Sequence, residues 1–110
     1  MTNSNQNNEQ IMVIASMKMN LEDNEKQEFY GITKTLIDKT KALDSPITYN
    51  CNEDIHGNGN FTWEEIWPSK LALDKHLATN HVQDWWIWVE PRLREPLNVM
   101  YVEMANIKSI

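Results

Sequence analysis

The chain has 110 residues, enough for one domain with a modest core. Its 41% hydrophobic and 24% charged residues read as a folded, soluble chain rather than a disordered one. The formal net charge of −6 argues against a nucleic-acid binder, which needs Lys and Arg on phosphate, and no apolar run approaches the ~20 residues of a membrane span.

Met1 to Glu9 shows no periodicity and is predicted to be a flexible tail ahead of a single domain over residues 10–110. It also lacks the basic region and apolar core of an export signal. The single cysteine, Cys51, cannot close an internal disulfide, and together these features predict a cytoplasmic protein.

Ile11 to Met19 reads as the first strand, with Ile11, Val13, Ala15, Met17 and Met19 on one face and Met12 and Ile14 on the other. Phe29, Ile32, Thr33, Leu36, Ile37, Thr40 and Leu43 follow helical spacing and predict a helix from about Leu21 to Leu43, capped by Asn20 or Asp23. Gly31 inside it marks a place where another element could approach closely. Pro46 stops the helix, because it disfavours helical geometry at Ser45.

Ile47, Tyr49 and Cys51 alternate with Thr48, Asn50 and Asn52 as a second strand. The Gly57–Gly59 turn joins it to a third, Phe61 to Trp67, with Phe61, Trp63, Glu65 and Trp67 on one face. Ser69 is placed to cap a helix running to about Ala78, and Thr79-Asn80 breaks it. His81 is a candidate cap for the next helical piece, on which Val82, Trp85, Trp86, Val89 and Leu93 recur at helical intervals. Pro91 is expected to shorten or bend that piece. Leu97 to Met104 closes the chain as a strand apolar on both faces.

The order β, α, β, β, broken α, β is that of an α+β, ferredoxin-like fold: a four-stranded antiparallel sheet with helices on one face. Strands apolar on both faces need a cover on the second side as well, and the expected cover is another copy of the chain, giving a homodimer.

No glycine-rich phosphate loop or dinucleotide fingerprint is present, so no organic cofactor is predicted. His56, His76 and His81 lack the spacing of a metal site. The densest chemistry lies between Glu64 and Val82, where an aromatic strand runs almost directly into a helix. There the chain reads Glu65-x-Trp67, then Ser69, His76-Leu77, Thr79 and His81. In these residues the sequence resembles the antibiotic biosynthesis monooxygenase family of dimeric α+β barrels, in particular its quinol-monooxygenase-like members. The likeness in element order spans roughly residues 10 to 104.

The family usually carries a small Gly-Cys pair between the first helix and the second strand, where this chain has Asp44-Ser45-Pro46-Ile47. Asn80 replaces the usual proline before the second His. Related haem-degrading members hold iron with a His at a place that reads Asp84-Trp85-Trp86-Ile87 here, so haem is not expected.

The resemblance implies an oxidoreductase, a cofactor-independent monooxygenase acting with molecular oxygen on a phenolic, quinol or polyketide-like molecule. Its alternatives are a cofactor-free isomerase or lyase on the same fold, or a non-catalytic dimer that binds a small ligand. His76 is the candidate base or anion partner. Glu65, among aromatic side chains, is either a second base, an orienter of His76 or a structural acceptor. Tyr49, Asn50, Trp63, Trp67 and Trp86 are candidates to line a site for a flat substrate, with Trp67 also suited to anchor the core.

Overall fold

A computed structural model of the chain describes residues 9–105, 107 and 108; the tail expected over residues 1–9 lies, apart from Glu9, outside them. Strand β1 is Gln10–Lys18, helix α1 Asp23–Leu43, β2 Thr48–Glu53, β3 Asn60–Trp67, α2 Lys70–Leu77, α3 Asn80–Val89 and β4 Asn98–Met104. A single 3-10 turn, Glu90–Arg92, follows α3 where Pro91 removes a helical donor. The strands form one antiparallel sheet in the order β2-β3-β1-β4, with the three helices on one face. The ferredoxin-like reading therefore holds. Among the described residues no helix is long and apolar enough to cross a membrane.

The period of two along each strand decides what the helices cover. Ala15 lies opposite Trp63 on one side and Val99 on the other, which sets the register of the central strand. Ile11, Val13, Ala15 and Met17 of β1 are buried with Phe61, Trp63, Glu65 and Trp67 of β3 and Tyr49 of β2. Phe29, Thr33, Leu36 and Thr40 form the buried stripe of α1 that meets them. The Phe29 and Phe61 rings stand 4.7 Å apart at the centre of this contact.

Strand β4 differs from the rest. Val99 and Tyr101 on the helix side and Met100 and Val102 on the other are all exposed. On the helix-free face they extend a patch that includes the exposed Ile14 and the half-buried Met12 and Ile66.

Three local expectations are corrected. The cap of α1 is neither Asn20 nor Asp23 but Glu22, which forms a reciprocal capping box with Glu25. A Cβ added to Gly31 would meet nothing within 4 Å, so that glycine serves no close approach. The cap of α3 is Thr79, whose hydroxyl accepts from the Val82 N–H, and His81 is left for another role.

Candidate functional site

The break between α2 and α3 positions the chemistry. Ser69 caps α2 by accepting from the Ala72 N–H, which turns Leu73 and His76, one helical turn apart, onto the buried face. The Thr79 hydroxyl donates to the His76 carbonyl at 2.7 Å and so ties the end of α2 to the start of α3. His76 and His81 thereby flank a tight, fully capped corner rather than a loose loop.

A cavity of about 420 Å³ opens between these helices and the sheet, within the ~300–1,000 Å³ of small-molecule sites. Its walls are mainly Leu36, Leu73, Val82, Trp85 and Trp86, with Val99 and Tyr101 of β4 on the open side. Tyr49, Trp63, Glu65 and His76 line it with polar groups, together with Lys70, Asp74 and Gln83. Among the described residues the buried Trp63 indole N–H has no hydrogen-bond partner.

Five of the seven candidate site residues therefore line one cavity: Tyr49, Trp63, Glu65, His76 and Trp86. Trp67 does not. It is fully buried behind them, its indole N–H donating to Glu65 Oε1 at 2.8 Å and its ring 4.6 Å from that of His76. Trp67 is thus a core anchor that holds the two polar groups, not a wall. Asn50 does not line the cavity either. It alternates with Tyr49 and Cys51, so it is exposed on the helix-free face opposite Glu64. Its assignment to the substrate site is corrected.

Glu65 is only 8% exposed, and burial pushes its carboxyl up to about 7, against the smaller opposing effect of the Trp67 N–H. Burial likewise raises the Tyr49 hydroxyl far above its usual value, with the charge of Glu65 adding to it. Burial pushes the Cys51 thiol up to about 12, which removes it as a nucleophile. His76 is 2% exposed, and that burial lowers its pKa despite the favourable charge of Asp44.

Asp44 is the residue that the sequence reading missed. It ends α1 as its C-cap, and its Oδ2 lies 2.8 Å from His76 Nδ1 and 2.7 Å from His81 Nε2. Among the described residues these three form a group whose donor atoms lie within 4.8 Å of one another. The histidines alone lack metal spacing, but with this carboxylate the donor types would suit a divalent ion. The distances are those of two N–H donors on one carboxylate oxygen.

No protein-family model matches the chain. An uncharacterized protein of Synechocystis sp. is 20% identical over 98 residues, covering 89% of this chain and 67% of that one. Among solved structures, a provisionally named antibiotic biosynthesis monooxygenase from Caulobacter crescentus superposes with a TM-score of 0.80 at 19% identity, over 96% of this chain and 98% of its own. Another structure named antibiotic biosynthesis monooxygenase gives 0.75 at 23% identity, over 86% and 98%. The chain has the antibiotic biosynthesis monooxygenase fold. A further structure provisionally given that name, from Nitrosomonas europaea, gives 0.78 at only 12% identity, over 93% and 96%. In the fold seen here, the corner between α2 and α3 carries both histidines, and the end of α1 brings the carboxylate they share.

Proposed function

We propose that the chain is a cytoplasmic, homodimeric, cofactor-independent monooxygenase acting on a phenolic, quinol or polyketide-like molecule with molecular oxygen. The observation that carries this reading is the cavity in which His76, Glu65 and Tyr49 meet aromatic and aliphatic walls. Names carried by proteins of the same fold support it.

The residues suggest the division of labour. A flat, neutral substrate enters between Trp63, Trp85 and Trp86. Neutral His76 accepts the proton of its hydroxyl or activated C–H, and the apolar walls keep the resulting anion dry and electron-rich. That anion gives its electrons to oxygen. One oxygen atom enters the substrate, turning a C–H carbon into a carbonyl, and the other leaves as water with the two hydrogens removed. The substrate is the only reductant, so the balance needs no organic cofactor. Glu65, poised near neutrality, can give or take a proton beside it.

The exposed apolar patch of β1, β3 and β4 supports a dimer formed sheet to sheet; sedimentation velocity would show a lone subunit if this is wrong. Oxygen uptake with hydroquinone or an anthrone-type substrate tests the reaction. Uptake by the wild type that drops at least ~10²-fold in His76→Ala is expected. Equal rates would remove His76 from the mechanism. Unchanged turnover without oxygen would favour an isomerase or lyase, and binding without turnover a ligand-binding dimer.

A further inference from the structure

We infer that Asp44 is a positioning residue that holds neutral His76 in the tautomer protonated at Nδ1, with His81 as the second donor that locks the Asp44 carboxylate in place. The inference deepens the proton-accepting role proposed for His76 and rests on it.

The geometry leaves little choice of proton positions. An ionised carboxylate oxygen only accepts hydrogen bonds. Asp44 Oδ2 receives His76 Nδ1 at 2.8 Å and His81 Nε2 at 2.7 Å, so both of those nitrogens carry hydrogen. With one proton on each ring, the two are opposite tautomers, His76 protonated on Nδ1 and His81 on Nε2. The proton-bearing edge of His76 faces the end of α1, because Asp44 is not a cavity residue while His76 is. The Nε2 lone pair is left for a substrate proton.

The surroundings reinforce this. The Asp44 N–H donates to the Thr40 carbonyl at 2.9 Å, and the side chains of Asp44 and His81 are only 10% and 13% exposed. Tyr49 approaches His76 edge-on from β2 at 5.1 Å, and Trp67 of β3 covers it at 4.6 Å. Glu65 is held by Trp67. Among the described residues Asp44 is the hydrogen-bond partner of the His76 ring, His81 bonds the same Asp44 Oδ2, and an imidazolium formed at His76 keeps that charge-assisted partner.

Nitrogen-15 spectroscopy of the histidine rings, on purified full-length protein, reads tautomers without any substrate. The wild type at pH 8 is expected to show His76 protonated at Nδ1 and His81 at Nε2. Asp44→Asn is expected to release His76 into a tautomer mixture while circular dichroism stays unchanged. If Asp44→Asn fails to fold, the wild-type spectrum and His81→Gln, which keeps a side-chain N–H donor, still decide. His76 protonated at Nε2 in the wild type, or ring signals unmoved by Asp44→Asn, would overturn the inference. So would one tightly bound divalent metal per chain that Asp44→Asn loses. With an oxidisable substrate in hand, Asp44→Asn should lower kcat by ~10²-fold or more with KM little changed. Absence of oxygen uptake would remove the proposed reaction and leave the tautomer result standing. Uptake by a protein with His76 protonated at Nε2 would do the reverse.

Discussion

Replacing Glu65 with Gln should remove a pH-dependent cost of folding. The carboxyl sits beneath Trp67 at 8% exposure, and burial raises it from an ordinary 4.5 to about 7. A group whose folded pKa is raised stabilises the fold in its protonated form. That contribution is complete below pH 4.5 and disappears as pH climbs through 7. At 1.36 kcal/mol per pH unit, the interval corresponds to ~3 kcal/mol. Gln resembles the protonated acid in shape and still offers an oxygen to the Trp67 indole N–H. The stability of Glu65→Gln minus that of wild type should therefore be flat below pH 4.5, grow by ~3 kcal/mol between pH 4.5 and 7.5, and then level off. Urea denaturation of both proteins at matched concentration from pH 4 to 8.5 measures it, and groups common to both cancel. A difference that does not change with pH would show that Glu65 is not desolvated and would remove it as a near-neutral proton carrier.

Two backbone positions make further predictions. Ser45 follows the end of α1 with φ of 55°, a left-handed conformation in which a side chain is strained; Ser45→Gly should raise stability by ~1 kcal/mol, read from a urea midpoint shift at constant slope. Gly59 has φ of 81°, and a Cβ there would collide with the Met19 carbonyl oxygen, which also accepts from Arg94. Gly59→Ala should cost roughly 2 kcal/mol or more, seen as a lower thermal midpoint.

Much of the fold is legible in the sequence because its signals are local. The alternation of β3 and the 29-33-36-40 stripe of α1 each identify an element and its buried face. Ser69, Thr79, Pro46 and the Gly57–Gly59 turn mark boundaries through chemistry that acts within a few residues. The cap of α1 is not legible, because several acidic and amide residues lie together there, and the reciprocal bonds of Glu22 and Glu25 decide among them. The place of Asn50 is legible too: once Tyr49 and Cys51 face the helices, alternation turns Asn50 away. Asp44 was beyond such reading. Its partners lie 32 and 37 residues away, and in sequence it looks like an ordinary helix stop before a proline.

One last consequence follows from β4. It is an edge strand, joined to the sheet through β1, and its Val99, Met100, Tyr101 and Val102 are all exposed. Yet Val99 and Tyr101 form a side of the cavity. The boundary of the chamber is thus a margin of the sheet, held by one neighbouring strand alone. A bulky guest would gain admission by fraying a margin, with no hinged gate required.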